Sequence, residues 1–518
     1  MSFRRFVPVL LLILAAWFVP ARAADPGKPA RLVFGHLAPC ATLDPALAVD
    51  VDSIQAVRAL FEGLVRLRDG GLEVEPGLAE SWESDPTGTR WLFTLRPGVR
   101  FHDGAPCDAA AVAFSFQRIM NPQHAYYAGN RSLPMPLGSV AEVKALDQRR
   151  VLFILSQPHA GFLQGLTLPQ LSVVSPAAMA EQGKDFSRHP VGTGPFVFDH
   201  WAPDGTVTVR ANPRYWGAAP RLAEVVFRPV ANDAQRFHDF AAGSLDVMAG
   251  VLPADAARMA RMADAKLHSL PGLAVSYLAM NTEHPPLDRP EVRQAVAHAI
   301  NTTALLRLIY QDQADPARGI LPPGVPGYDP NLAAPAYDPA LSRRLLAKSG
   351  LAKGFSVTLM TMNTPRPYLP RPVRAAEAIK GNLEAVGITA HIVPQDFPTF
   401  LDQVTRGQHD MCLLGWAMDT PDPDDFLNTS FTGTPGMRDL NVSNWRDARV
   451  QDLLGQARGE TDPGRRAEIY VRLQKIVLQE SPWVPLAHPR MLLAVHSRVH
   501  GLVLQPTGDV RFHEAWKQ

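Results

Sequence analysis

The chain has 518 residues, 46% of them hydrophobic, and carries 51 Lys+Arg against 50 Asp+Glu. That composition excludes a disordered chain and gives no electrostatic basis for nucleic-acid binding. Usual domain sizes allow roughly three domains, and the three cysteines, Cys40, Cys107 and Cys412, allow at most one disulfide and match no zinc spacing.

The N-terminus, "MSFRRFVPVLLLILAAWFVPARAADPG", has two arginines, a short apolar core and "ARA" ending at Ala23, the pattern of a secretory signal peptide over 1–23. Its apolar core, bounded by Pro8 and Pro20, is shorter than the about 20 residues a membrane span needs. Removing Arg4, Arg5 and Arg22, with no acid among them, would take the formal charge from +1 to −2. No cysteine stands at the cleavage point to carry a lipid, so the expectation is an exported protein without stable membrane insertion.

"ARLVFGH" then reads as a strand and "DSIQAVRALFEGLV" as a helix with Ile54, Val57, Phe61 and Leu64 on one face. From "PGLAESWESDPTGTRWLFTLRPGVRFHDG" to "RVLFILSQP" the pattern predicts a β-rich unit around one helix, "AVAFSFQRIM". "GTGPFVFDHW", "TVTVRANPRYWG" and "LAEVVFRPV" give three more strands before the helical "DAQRFHDFAAG". Over 355–416 the order is strand, helix, strand, helix, strand, half of a doubly wound parallel sheet. The last of these, "MCLLGW", is apolar throughout, as burial on both faces of a sheet demands. A helix capped by Asp462 follows, and the terminal strands in "MLLAVHSRVHGLVLQP" are expected to pair far upstream.

Open parallel sheets bind ligands beyond the carboxyl ends of their strands. Two loops stand at such ends. "MNTPRPYLPRP" offers Arg366, Tyr368 and Arg371, and "GWAMDTPDPDDF" offers Asp419, Asp422, Asp424 and Asp425 behind Trp416 and Met418. An arginine that holds an anion and an aspartate that holds a cation, facing one crevice, suit a zwitterion with separated ends, such as a free peptide. The plain alternative is that Arg366 and Asp419 pair with each other or face solvent.

Enzyme chemistry has weaker support. There is no HExxH, GxSxG or Walker loop. Asp422 and Asp424 flank Pro423 in a turn-prone stretch, a poor frame for paired catalytic carboxylates, and the proline spacing fails an EF-hand. His36, His102 and His298 read as structural residues, and no cofactor or metal is expected.

"PGLAESWESDPTGTRWLFTLRPGVRFHDGAP", "GTGPF", "NPRYWG", "MNTEHPPLDRPEVRQAVAHAIN" and "GWAMDTPDPDDF" resemble, in order, the landmarks of the family 5 solute-binding proteins of ABC importers, nearest the dipeptide-binding branch. The resemblance implies an α/β fold of the type II periplasmic-binding-protein kind, two lobes on a hinge with an extra inserted domain. Lobe one would comprise 24–69, 189–280 and 490–518, the insert 70–188, and lobe two 281–489. It implies a monomeric, non-enzymatic periplasmic protein that captures short peptides and delivers them to membrane permease subunits. Asp419 would hold the ligand ammonium and Arg366 its carboxylate, with Trp416, Tyr368 and Met418 beside them, and the other three aspartates would add a negative field. Haem, a nickel complex, an oligosaccharide or a small amino compound on the same fold is the alternative. Two features depart from the branch: of its usual four disulfide cysteines only Cys40 has a counterpart, and Met418 replaces a small residue.

Overall fold

The computed structural model describes residues 30–128, 135–432 and 440–518, so the expected signal peptide lies outside it. In chain order, β1 (Ala30–His36) leads through a loop to α1 (Val51–Leu60), capped by the Asp50 carboxylate, which accepts the Ser53 N–H at 2.7 Å. A four-stranded antiparallel sheet then forms from β2 (Ala79–Ser84), β3 (Arg90–Leu95), β4 (Val140–Ala145) and β5 (Arg150–Leu155), in the order β2-β3-β5-β4, with α2 (Ala109–Met120) against it. The chain continues through β6 (Phe196–Trp201), β7 (Val207–Ala211), β8 (Leu222–Pro229), α3 (Asp233–Ala241), β9 (Val247–Met248) and β10 (Ala265–Pro271).

Three residues on, β11 (Ala274–Met280) begins a second region. It contains β12 (Ala314–Pro316), β13 (Phe355–Met362), α4 (Pro372–Glu384), β14 (Ile388–Gln395), α5 (Phe397–Thr405), β15 (Met411–Ala417), α6 (Pro423–Phe431), α7 (Ala448–Gly459) and α8 (Pro463–Glu480). The 14-residue β16 (Trp483–His496) closes the circuit. Ten strands run in the order β14-β13-β15-β11-β16-β9-β1-β8-β7-β6, and β10 and β12 also pair with β16.

The alternation expected over 355–416 is present, with β13 parallel to both β14 and β15. All seven residues of β11 are buried, as are the first five of β15. Period-two sequence patterns fail for such strands because helices cover both faces.

Three large cores divide the molecule. One gathers buried side chains from Leu273 to Ala487. A second joins Leu32 to Phe227 with the C-terminal Leu493 to Ala515, and a third runs mainly from Leu64 to Val173 around the antiparallel sheet. Core membership bears on two segments near the expected boundaries. The strand 274–280, expected in the first lobe, pairs with β15 and β16 and packs in the second-region core. Ala178, Met179 and Phe186, assigned to the insert, pack with β1 and α1 instead.

The terminal strands also differ from expectation. "MLLAVH" is the second half of β16 and does pair upstream with β10, but Val499–His500 and Val503–Leu504 pair locally with Trp516–Lys517 and Val510–Arg511. All three cysteines are buried free thiols, and burial pushes the Cys40 thiol up to about 12.

Candidate functional site

The chain passes between the two regions at two adjacent places. Pro271 of β10 lies opposite Arg490 of β16, and Ser276 of β11 opposite Ala487, so both strands cross from one core to the other within a few residues. β15 runs antiparallel to β11, and its last residue Ala417 faces Ala274, the first residue after the crossing. The next N–H, that of Met418, donates to the Leu273 carbonyl at 2.7 Å. Asp419 is therefore fixed beside the crossing, at the edge of the second-region sheet that faces the first region.

The arginine turn is brought to the same edge by packing and by a buried hydrogen-bond chain. β13 is parallel to β15, so the loops after both strands emerge on one side. Arg366 and Leu369 exchange backbone hydrogen bonds of 3.1 and 2.9 Å, closing a tight turn. Tyr310 Oη, 2.7 Å from Ser276 Oγ on β11, donates to the Tyr368 carbonyl at 2.9 Å. The Tyr368 ring lies directly on Gly415 of β15: a Cβ added at Gly415 would stand 2.6 Å from Tyr368 Cγ and 2.6 Å from the Val275 carbonyl oxygen. Glycine in the "GW" pair is thus the residue that lets the "RPY" turn close against the aspartate strand. Four residues reach at most about 13–14 Å, so this contact keeps Asp419 and Arg366 at the same edge of the sheet.

Neither charge at this edge has an oppositely charged partner among the described residues; the contacts of Arg366 are aromatic, with Phe397 and the Tyr368 hydroxyl. Arg366 is half-buried; its guanidinium stacks over Phe397 at the start of α5, 3.3 Å from the ring centroid. Its Nε is buried with no hydrogen-bond partner among the described residues. No ion pair among the described residues includes Arg366 or Asp419, so they do not neutralise each other. Asp419 is exposed as a residue, yet protein around it removes enough water to push its carboxyl above the ordinary aspartate range. Burial raises the neighbouring Tyr368 hydroxyl to about 12, with the Arg366 guanidinium pulling it back.

Asp422 and Asp424 behave differently, because each is matched by an arginine. Asp422 forms a two-pronged pair with Arg466 of α8, at 2.5 and 2.9 Å, and caps α6 by accepting the Asp424 N–H at 2.9 Å. Asp424, 1% exposed, takes Arg458 of α7 at 3.1 Å and Asn428 Nδ2 at 2.8 Å. The Asp425 side chain lies outside the described part. Two of the four aspartates are thus spent on buried ion pairs whose partners stand 34 and 44 residues later.

Among the remaining candidates, Trp416 is half-buried with its ring 5.8 Å from Phe426. Tyr368 and Met418 are 8% and 5% exposed and belong to the second-region core. They stand beside the site and offer little open surface. Arg371 stands at the start of α4 and reaches the Leu308 carbonyl at 3.5 Å. Sequence reasoning missed Ser276, Tyr310, Phe397 and Gly415. Only Gly415, a lone glycine inside an apolar strand, carried a signal, since such a glycine marks a close approach. His102 is structural: Nε2 lies 3.0 Å from the Gly194 carbonyl, and burial lowers its pKa to about 4.

Residues 73–438 match the family described as bacterial extracellular solute-binding proteins, family 5. The chain belongs to this family. It is 33% identical over 470 residues to the Dipeptide-binding protein of Escherichia coli, covering 88% of each chain. It is 31% identical over 490 residues to Heme-binding protein A of Haemophilus influenzae, covering 90% of this chain and 89% of the relative. The crystal structure of a dipeptide-binding protein from Pseudoalteromonas in complex with Met-Leu superposes with a TM-score of 0.81 at 28% identity, covering 94% of this chain and 100% of that one. The fold is accordingly the mixed α/β fold of type II periplasmic binding proteins. Among the described residues no helix of this family 5 protein is long and apolar enough to cross a membrane.

Proposed function

We propose that this protein is the periplasmic substrate-binding component of an ABC importer, capturing di- or short oligopeptides by their free ends. Asp419 takes the ligand ammonium and Arg366 its carboxylate. The observation that supports this reading is the pair of opposite charges on one sheet edge, each held in place and neither in an ion pair among the described residues. A zwitterionic guest would supply an opposite charge to each, and its ends would be held by charge-assisted hydrogen bonds. The spacing between the ends of an extended peptide grows by roughly 3.3–3.6 Å per residue, so the two fixed charges also measure ligand length.

In this reading the regions on either side of the crossing at 271–274 and 487–490 are two lobes that close on the peptide, the crossing strands being the hinge, and the unit around β2–β5 is an insert in the first lobe. Contacts made only in the closed form drive closure, and the closed form is what the membrane permease receives. The leader over 1–23 directs export to the periplasm, where the protein acts as a monomer and binds without catalysis.

Similarity to a haem-binding relative favours a second reading, haem on the same fold. The two separate by experiment. Asp419→Ala abolishes calorimetric binding of a free dipeptide while the denaturant midpoint stays at its wild-type value; wild-type affinity in that variant would refute the assignment. A Soret band in the protein as purified, with no heat from any peptide, would move the function to haem.

A further inference from the structure

Leu37, Leu47, Val49 and Val51, at 42%, 42%, 71% and 66% exposure, are four of the seven large hydrophobic side chains left open among the described residues. The other three, Tyr127, Leu146 and Tyr337, are scattered singly, as on any protein surface. These four all fall between the end of β1 and the first residue of α1. The loop that carries them is tightly tied. The Asp52 carboxylate accepts the N–H groups of Leu37 and Ala38 at 3.2 and 3.0 Å, Ser53 Oγ accepts that of Ala41 at 2.8 Å, and Gln170 Nε2 donates to the Ala48 carbonyl at 2.8 Å. Apolar groups are thus held open to water on a fixed frame, where polar residues would be equally compatible with the backbone.

Topology says what they face. β1 is parallel to β9, and β9 and β10 are both antiparallel to β16, so β1, β9 and β10 point the same way. β10 ends at Pro271, at the crossing into the second region, so the loop leaving β1 emerges at the sheet edge directed toward that region. Asp419 and Arg366 stand on the edge that looks back. One edge offers two charges for the ends of a ligand, and the facing loop offers four exposed aliphatic side chains, with Asp50 between Val49 and Val51 turned to capping α1.

We infer that Leu37, Leu47, Val49 and Val51 form the side-chain subsite of this protein, which selects short peptides bearing bulky aliphatic side chains. The inference rests on the peptide reading above. A ligand with charged termini and a polar middle would leave this loop facing water on closure; one with leucine-sized side chains covers it and gains affinity only in the closed form, which is where selection operates. Differences of a single methylene in an apolar pocket discriminate by about 10-fold or more, so a two-leucine ligand is well separated from a two-alanine one.

The test is calorimetric titration of ligand-stripped protein with Leu-Leu and with Ala-Ala, for wild type and for Val49→Ser/Val51→Ser, with Val49→Ala/Val51→Ala as the variant that keeps the loop apolar. The expected result is at least a ~10-fold preference of wild type for Leu-Leu, most of it lost in the serine variant and partly kept in the alanine variant, with Ala-Ala affinity unmoved throughout. Equal wild-type affinities, or a preference that survives both variants, would overturn this inference and leave the peptide reading standing, with the apolar loop then free for a protein partner. No binding of either dipeptide to wild type would overturn both.

Discussion

Asp419 and Asp422 stand three residues apart in one aspartate-rich stretch and meet opposite environments. Asp422 is held by both prongs of Arg466, its carboxylate so closely enclosed that a Cβ at Gly161 would lie 2.7 Å from Oδ2. Asp419 has no such partner, and desolvation alone acts on it. The first is built for stability, the second for an incoming charge. Composition and spacing give no sign of the difference; the register of the helices that follow decides it.

The contrast predicts a large asymmetry in stability. Arg466→Ala leaves a buried carboxylate unpaired and should cost about 3–5 kcal/mol, read as a lowered urea midpoint at pH 7, whereas Asp419→Ala should leave that midpoint unchanged or slightly raised. Equal losses from the two variants would mean that Asp419 has a structural partner after all.

A smaller effect probes how the two loops are joined. Gly415→Ala forces a methyl group against the Tyr368 ring and the Val275 carbonyl, and overpacking of this kind costs about 1–3 kcal/mol. Because Tyr368 carries the Arg366 turn, peptide affinity should fall further than stability does. Smaller again is Tyr310→Phe, which removes the hydroxyl linking Ser276 to the Tyr368 carbonyl at a cost of about 1 kcal/mol. Its affinity loss should appear mainly as faster dissociation in stopped-flow measurements; unchanged dissociation would detach that network from the site.

The smallest effect is a pH slope. The Asp419 carboxyl titrates above the ordinary aspartate range in the folded chain, so the native state holds that proton more tightly than the unfolded one. Its contribution to stability is therefore greatest at low pH and falls as pH rises through the raised value. Urea midpoints of wild type and Asp419→Asn across acidic pH should differ by that falling slope, and a bound ammonium should flatten it. Parallel profiles would remove desolvation as the cause.

Much of this was legible in the chain. The alternation over 355–416 follows from apolar runs of the right length separated by amphipathic helices, and the loops bearing Arg366 and Asp419 follow from where parallel strands end. The fates of Asp422 and Asp424 were not, because Arg466 and Arg458 reach them only through tertiary packing. The core that strand 274–280 joins is hidden for a related reason: an apolar run shows that it is buried, not in which core. The apolar loop after β1 was also invisible, since "ALAVDV" reads as any half-buried segment until exposure is measured.

The central claim is that a carboxylate and a guanidinium on one sheet edge, neither in an ion pair among the described residues, read the two ends of a free peptide. The most direct measurement is calorimetric titration of ligand-stripped protein with a free dipeptide and with its N-acetylated form. Binding of the free form, with loss of all measurable heat on acetylation, is the predicted result. Equal binding of both forms would contradict an ammonium receptor at Asp419.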